Sequence, residues 1–340
     1  GAKMNFDTIS KMFLSTTSKF PNKDLYYYKV GESWKSLTGA VIKQKVKNLS
    51  FALHNLGVGP GKNIAIMSTN SPDWAMCDYS IICSGAATVT IYPTLIPKQI
   101  KYILNNSNAQ LIFVENEEQC NKICEVWDEC PDLKYVVIMD DSQCSMKDNS
   151  YKLSDFELMG VKHQKEVSID FESLCKQANP EDLLTLIYTS GTTGEPKGVM
   201  LTHGNIISNI EGVYENVTMN DDDTLLSFLP MSHVFERTLG HFASFSKGAA
   251  TYYAESIEKV PDNLVETSPT IVLSVPRLYE KIYSKIKIGL ESASPIKQKL
   301  FSFASSVGSE YNALKSQRKS IPFSLSLKHK IANKLIYSKI

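Results

Sequence analysis

Arginine is scarce in this sequence: only Arg237, Arg277 and Arg318 stand among 36 basic residues. A guanidinium can hold a carboxylate or a phosphate through two parallel hydrogen bonds, so each arginine is a candidate for a specific contact, although a lysine-biased composition explains the scarcity equally well. The formal net charge is zero, which excludes a global field that attracts nucleic acid or an anionic membrane. An anionic ligand therefore needs a local site.

The sequence also lacks an apolar run long enough to span a bilayer and a basic-then-apolar signal at its N-terminus. We expect a location in the cytosol or on the cytosolic face of an organelle, with peripheral membrane association left open. The seven cysteines form no opposed CxxC pairs. Cys120, Cys124 and Cys130 are close in sequence but have no histidine nearby, so we expect buried or reduced thiols, not a disulfide framework or a zinc site.

Apolar patterning in the first half alternates between helical and strand periods. A helical pattern runs from Val41 to Leu56 and stops at Gly57, a strand-like run follows at 63–68, and Ser71 with Pro72 opens the next helix. This alternation predicts an α/β fold with layered, largely parallel sheets and helices on both faces.

Between residues 140 and 180 the pattern loosens into polar turns with one short helix. We interpret this stretch as a connection, which predicts a first α/β lobe at 1–175 and a second at 176–340. In the second lobe we predict a helix capped by Ser232, a strand at "TIVLSV" and then only helices. An apolar run is starting where the sequence stops, so we expect the second lobe to be incomplete.

The stretch "LIYTSGTTGEPKGVMLTH", Leu186 to His203, places many hydroxyls in one loop between two apolar runs. Its glycines permit positive φ and close approach of a ligand, and its hydroxyls, backbone N–H groups and one lysine form an array of donors that suits a polyphosphate. Pro196 stands where the P-loop of kinase-like NTPases requires glycine. A plain surface hairpin explains the glycines but not the hydroxyls.

The segment "YTSGTTGEPKGV" resembles the phosphate-binding signature of the AMP-forming acyl-CoA synthetases, a superfamily that includes luciferases and the adenylation domains of peptide synthetases. "CSGAATVTIYPTL" resembles a helix end and strand of that family, and "FLPMSHVFER" resembles its histidine motif. "SVPRLYEKIY" is similar to the version in long-chain fatty acyl-CoA synthetases. The resemblance runs from about Trp34 to the end and implies part of the large N-terminal domain of an adenylate-forming enzyme.

The resemblance implies an ATP-dependent long-chain fatty acid–CoA ligase. A fatty carboxylate attacks the α-phosphate of ATP and releases pyrophosphate, and the thiol of coenzyme A then attacks the acyl-adenylate and releases AMP. ATP, coenzyme A and Mg²⁺ are implied, with Thr189 as a magnesium ligand and with Lys197 and His233 as catalytic residues. The implied phosphate-binding residues are Thr189, Ser190, Gly191, Thr192, Thr193, Gly194, Lys197 and Gly198.

Other residues near these motifs have both a functional and a structural interpretation. We expect Glu236 to be structural, and Arg237 either to pair with it or to reach the nucleotide. Phe235, Phe242 and Phe245 fit a fatty-acid channel or an ordinary core. We expect His203 to open the helix after the loop.

Several motifs of the family are missing from the sequence: the YGxTE-type and TGD motifs, the hinge and the mobile C-terminal domain. We therefore expect an N-terminal portion of a longer enzyme, with no or negligible ligase turnover by itself. The alternatives are a ligase for another carboxylic acid or for acyl carrier protein, and a non-catalytic nucleotide- or lipid-binding relative.

Overall fold

The structure is a computed structural model that describes residues 3–140, 142–144, 148–189 and 194–339. The chain divides into two compact units, one ending at Leu273 and one beginning at Ser274. The boundary predicted at residue 175 lies inside the first unit, because strands from both sides of it pair in each sheet.

Both sheets belong to the first unit. The strands of the described residues are, in chain order, β1 (Asp24–Val30), β2 (Ser33–Thr38), β3 (Asn63–Met67), β4 (Ala87–Ile91), β5 (Leu111–Val114), β6 (Tyr135–Ile138), β7 (Ser150–Lys152), β8 (Leu183–Thr189), β9 (Lys197–Thr202), β10 (Thr224–Ser227) and β11 (Ala250–Tyr253). The larger sheet has the order β7-β6-β5-β3-β4-β8-β9 and the smaller one β10-β11-β1-β2.

Parallel pairing dominates both sheets. In the larger sheet only β8 and β9 pair antiparallel, and in the smaller sheet only β1 and β2 do. Parallel neighbours need crossover connections, which helices supply. The predicted α/β class with parallel-rich sheets is therefore confirmed.

Helices fill the crossovers and make up the second unit. In chain order they are α1 (Ile9–Lys19), α2 (Gly39–Asn55), α3 (Pro72–Cys83), α4 (Pro97–Ser107), α5 (Glu117–Val126), α6 (Leu153–Gln164), α7 (Phe171–Cys175), α8 (His203–Tyr214), a π-helix (Glu236–Ala243), α9 (Ser244–Ser246), α10 (Val260–Thr267), α11 (Pro276–Glu291), α12 (Pro295–Ser316) and α13 (Phe323–Leu335). As predicted, Ser71 caps α3 and Pro72 is its first residue. In the second unit, α12 and α13 share a small core.

Alternating residues of the central strands separate two cores, one on each face of the larger sheet. On β3, Ile64 and Ile66 belong to one core while Ala65 and Met67 belong to the other. Helices α1, α2 and α3 pack on the first face, and α4 and α5 cover the second. Burial on both faces explains why these strands read as continuous apolar runs.

Two segments differ from the sequence prediction. The stretch 140–180 is not merely a connection, because it contains β7 and α6, and α6 packs tightly on α2. At Gly160 a Cβ would lie 1.7 Å from the carbonyl oxygen of Asn48. The segment "TIVLSV" forms only a bridge, between Ile271 and Leu225, because its backbone meets β10 at one position.

The cysteines also differ from the sequence expectation. Cys120 and Cys144 form a disulfide, a pairing that the expectation of buried or reduced thiols did not include. The chain between the parallel strands β6 and β7 passes α5, and this places Cys144 beside Cys120 in spite of their separation of 24 residues.

In the part of the chain that the structure describes, every helix falls short of the length or apolarity that a membrane span requires.

Candidate functional site

The hydroxyl-rich loop connects the antiparallel strands β8 and β9. Thr189, the last residue of β8, lies directly opposite Lys197, the first of β9, and both residues are exposed. The predicted phosphate-binding residues Ser190, Gly191, Thr192 and Thr193 lie outside the described residues. The last strand pair of the hairpin therefore carries a hydroxyl on one strand and an ammonium on the other.

Two glycines of this hairpin have different reasons to be glycine. Gly194 has φ +115°, a backbone conformation that L-residues rarely adopt, and a Cβ there would meet nothing within 4 Å. At Gly198 a Cβ would lie 2.9 Å from the ring of Tyr188 on the facing strand. Gly198 thus makes room for a protein side chain, and its part in phosphate binding stays a prediction. The hydroxyl of Tyr188 donates to Oδ1 of Asn106 at 2.7 Å.

The last strand pair of the hairpin lies at the carboxyl edge of the larger sheet. Strand β8 runs parallel to β4, so Thr189 emerges at the edge where β3, β4 and β5 also end. A cavity of about 540 Å³ lies at these ends and at the ends of β10 and β11. Its lining includes Asn70 after β3, Tyr92 after β4, Glu115 after β5 and Ser227 on β10. Ligands of open α/β sheets bind at this edge.

Asn70 organises one side of the cavity. Its amide nitrogen donates to Oγ of Ser227 at 2.9 Å and to the carbonyl of Leu229 at 2.6 Å, and its Oδ1 accepts from the N–H of Met231 at 2.9 Å. These bonds attach the loop before His233 to the end of β3. Sequence reasoning missed Asn70, because its role depends on a partner more than 150 residues away.

His233 lies in the turn that follows this loop, and its side chain is exposed. Its Nδ1 accepts the N–H of Phe235 at 3.2 Å. Ser232 is not a helix cap as predicted, because its hydroxyl bonds back to the carbonyl of Ile91 at 3.4 Å while its own carbonyl accepts the hydroxyl of Thr90 at 3.0 Å. The turn is thus fixed to the carboxyl end of β4. No hydrogen bond joins His233 to the hairpin within the described ranges.

Glu236, four residues from the cavity lining at Ser232, is buried at the start of the π-helix. Its Oε1 accepts the hydroxyl of Ser227 at 2.9 Å. Burial raises the pKa of Glu236 to about 8, and the bond from Ser227 opposes this rise. Gly240 leaves the space that the carboxyl occupies, since a Cβ there would lie 2.2 Å from Oε1. The structural role predicted for Glu236 agrees with these contacts.

Arg237 pairs with Asp78 and not with Glu236, its predicted helix partner. Its side chain is buried, with Nε 3.1 Å and Nη2 2.5 Å from the carboxylate of Asp78 on α3, and Nη1 donates to Thr185 on β8. His241 donates from Nε2 to the same carboxylate at 3.0 Å. Burial alone raises the pKa of Asp78, but Arg237 and these hydrogen bonds lower it below its ordinary value.

The Asp78 cluster, by which we mean Asp78, Arg237 and His241, connects elements on either side of the cavity. Asp78 also accepts the hydroxyl of Thr88 on β4 at 2.7 Å. Thr185 lies on the strand that leads to the hairpin, and Arg237 lies on the helix that follows His233. The buried Asp78 cluster therefore connects the strand that leads to the hairpin with the helix that follows His233. The composition of the sequence does not reveal this connection.

The remaining candidates are structural. His203 is the first residue of α8, as expected, and its buried Nδ1 accepts the N–H of Ile9 at 3.1 Å. Burial lowers the pKa of His203 to about 4. Phe242 and Phe245 are core residues and do not line a channel, because both are fully buried, while Phe235 is partly exposed.

Solved structures share this α/β fold. The N-terminal domain of FACL13 from Mycobacterium tuberculosis superimposes with a TM-score of 0.65 and 21% identity over 80% of this chain and 63% of that one. The anthranilate CoA ligase AuaEII, solved with anthranoyl-AMP, gives a TM-score of 0.68 and 20% identity over 78% of this chain and 49% of that one.

The chain belongs to the AMP-binding enzyme family, whose pattern it matches over residues 13–321. It is 31% identical to the long-chain-fatty-acid–CoA ligase ACSBG2 of Xenopus laevis, over 98% of this chain and 45% of that relative. It is 27% identical to the long-chain-fatty-acid–CoA ligase FadD15 of Mycobacterium bovis, over 98% of this chain and 54% of that relative. The chain thus spans about half the length of the curated relatives it matches.

Proposed function

We propose that the complete protein is an ATP-dependent ligase that joins a long-chain fatty acid to coenzyme A through an acyl-adenylate. The observation that carries this proposal is the exposed pair of Thr189 and Lys197 at the carboxyl edge of the sheet. The printed names of ACSBG2 and FadD15 support a long-chain fatty acid as the substrate.

The hairpin is the proposed grip on the triphosphate of ATP. Lys197 supplies a positive charge, and Gly194, with open space around its α-carbon, lets phosphate oxygens approach the backbone. Charge develops on pyrophosphate as it leaves, so a fixed cation at this position lowers the barrier of the first step. The hydroxyl of Thr189 is the kind of oxygen ligand that Mg²⁺ accepts, and the bound ion would neutralise phosphate charge. We propose the loop residues from Ser190 to Thr193 as further donors.

The cavity at the strand ends is the proposed site of the reacting carboxylate. Most of its lining surface is apolar, and its polar lining residues include Asn70, Ser227 and three glutamates, Glu115, Glu255 and Glu258. The turn that carries His233 borders this cavity through Ser232 and is held by the bonds of Asn70. We propose that His233 orients the carboxylate toward the α-phosphate, since its Nε2 has no partner among the described residues.

The substrate class is testable by pyrophosphate release from the complete protein, with ATP, Mg²⁺ and a panel of acids. We expect long-chain fatty acids to stimulate release most, and coenzyme A to convert the product to a thioester. The second candidate is an aromatic acid, because the neighbour AuaEII is by its name an anthranilate CoA ligase. Stimulation by aromatic acids alone would favour that candidate, and no stimulation by any acid would favour a non-catalytic binding protein.

We also propose that the 340-residue chain by itself has no or negligible turnover, because it spans about half the length of the ligases it resembles. The same assay on this chain, beside the complete protein, tests the proposal. Thioester formation at a comparable rate by both would overturn it.

A further inference from the structure

The second unit concentrates positive charge in a chain that is neutral as a whole. Residues 274–340 contain eleven lysines, two arginines and three glutamates, a formal net charge of +10 with histidine neutral. Because the whole chain has a net charge of zero, the first unit carries −10. The attraction for an anionic partner that the whole chain lacks is therefore present locally.

The basic side chains of the second unit are not neutralised within the chain. In the described part of the chain, none of the ion pairs includes a lysine or an arginine that follows Leu273. The lysines and arginines of this unit up to Lys334 are all exposed. Their charges are thus available to an external anionic surface.

Helix α13 has an apolar face on each of two sides. On the inner side, Leu325 and Ala332 are buried in the core that α13 shares with α12. On the outer side, four apolar residues recur at four-residue intervals and so lie along one face. They are 42% to 84% exposed, and they are Phe323, Leu327, Ile331 and Leu335, which we call the outer stripe. A contiguous exposed stripe of this kind marks an interaction surface.

Lysines border the outer stripe. Lys330 follows Leu327 by three residues, and Lys334 follows Ile331 by three, so each lysine lies beside the stripe. The stem of a lysine can cover apolar surface while its charge stays in water or among headgroups. An apolar face bordered by lysines is typical of helices that lie in the plane of a membrane surface.

Helix α11 repeats this pattern, and none of its residues is buried. Leu278, Ile282 and Ile286 recur at four-residue intervals, and Tyr283 borders them with 58% of its side chain exposed. Nζ of Lys287 lies 5.5 Å from the centroid of the Tyr283 ring. A tyrosine, with an apolar ring and a polar hydroxyl, suits the boundary between headgroups and acyl chains.

We propose that the second unit is a docking surface for a lipid bilayer that contains anionic lipid. The outer stripe of α13 and the apolar face of α11 enter the boundary between headgroups and acyl chains, and the lysines contact the anionic headgroups. This inference concerns where the chain binds, and it does not depend on the proposed ligase activity.

Other partners match only half of this surface. The core of a protein interface is depleted in lysine, so a second copy, or the rest of the complete protein, matches the apolar residues but not the charge. Nucleic acid matches the charge, but contacts with phosphates leave Leu327 and Ile331 exposed. An anionic bilayer matches both.

The test is cosedimentation of the 340-residue chain with lipid vesicles. We expect binding to vesicles of phosphatidylcholine with about one third phosphatidylserine, and binding weaker by at least about 100-fold to phosphatidylcholine alone, since each lysine near an anionic surface contributes about fivefold. Binding to the anionic vesicles should also weaken as added salt screens the charges.

Two double variants separate the apolar and the electrostatic contributions. Leu327→Gln with Ile331→Gln removes the centre of the outer stripe and should lower the partition coefficient by at least about 10-fold. Lys330→Gln with Lys334→Gln should lower it by roughly 20-fold. These four side chains are exposed, so the fold should persist, which circular dichroism checks.

The matched controls make the same kinds of change in the first unit. Leu158→Gln with Val265→Gln replaces two exposed apolar residues, and Lys98→Gln with Lys101→Gln removes the same charge. Both controls should bind vesicles as the native chain does.

Equal binding by the native chain and the outer-stripe variant, or equal affinity for vesicles with and without phosphatidylserine, would overturn the proposal. So would vesicle binding by this chain that the complete protein lacks, because the rest of the protein would then cover the surface. A lipid-free dimer that the outer-stripe variant abolishes would assign the surface to a second copy instead, and tighter binding to duplex DNA than to anionic vesicles would assign it to nucleic acid.

Discussion

The Asp78 cluster offers the sharpest test of how the site is held together. Replacing Arg237 by methionine keeps most of the volume but leaves the carboxylate of Asp78, which is fully buried, without its cation. Removing one partner of a buried ion pair costs about 3–5 kcal/mol, because the remaining charge stays desolvated. We therefore expect Arg237→Met to lose a free energy of unfolding in that range, a large share of the total stability of an ordinary domain.

The assay is urea unfolding followed by tryptophan fluorescence, to which Trp74 contributes, with its ring centroid 5.7 Å from the guanidinium carbon of Arg237. With ordinary slopes, the loss should lower the midpoint by about 1 M or more. The double variant Asp78→Asn with Arg237→Met removes both charges, so its loss should be much smaller than the sum of the two single losses.

A surface ion pair provides the matched control. Lys101 lies 3.2 Å from Glu129 on the exposed side of α4, and Lys101→Ala should cost no more than about 1 kcal/mol. A loss below 1 kcal/mol for Arg237→Met, or simple additivity in the double variant, would refute the conclusion that this charge centre fixes the elements around the cavity.

Three further predictions concern backbone space and buried titrating groups. Gly198→Ala should destabilise by about 1–3 kcal/mol through overpacking against Tyr188, whereas Gly212→Ala, where a Cβ meets nothing within 4 Å, should be neutral or stabilising in thermal unfolding. The folded pKa of His203, about 4, lies below its unfolded value near 6.5, so the unfolded state binds more protons between these values. Stability should fall by about 3 kcal/mol as pH drops through that window, and His203→Asn should remove the step. The folded pKa of Glu236, about 8, lies above its unfolded value, so stability should decline as pH rises from 4.5 through 8, and Glu236→Gln should flatten that decline.

Periodic segments of the fold were predictable from sequence because local chemistry determines them. The helix opened by Ser71 and Pro72 and the buried strand β3 follow from capping and apolar runs alone. Helix α6 was missed because its apolar residues do not all face the core, Leu158 being exposed, and because its packing depends on Gly160 meeting α2. The strand predicted at "TIVLSV" has the composition of a strand but meets β10 at a single position.

A continuous motif lets the sequence nominate site residues, as at Thr189, Lys197 and His233, and their roles stay predictions. Pairing across long separations could not be read from the sequence. Asn70 reaches Ser227, and Asp78 reaches Arg237, across more than 150 residues each. For Arg237 the sequence suggested a pair with the neighbouring Glu236 or a contact with the nucleotide. The observed partner, Asp78, lies on α3, far away in sequence.

The central claim is that the hairpin of β8 and β9 binds the triphosphate so that a fatty carboxylate is activated. Its most direct test is ATP–pyrophosphate exchange, dependent on a long-chain fatty acid, by the complete protein with and without Lys197→Ala. The account predicts a decrease of about 10²–10³-fold for that variant, with Lys101→Ala as active as the native protein. Exchange at the native rate by the Lys197→Ala protein would contradict it.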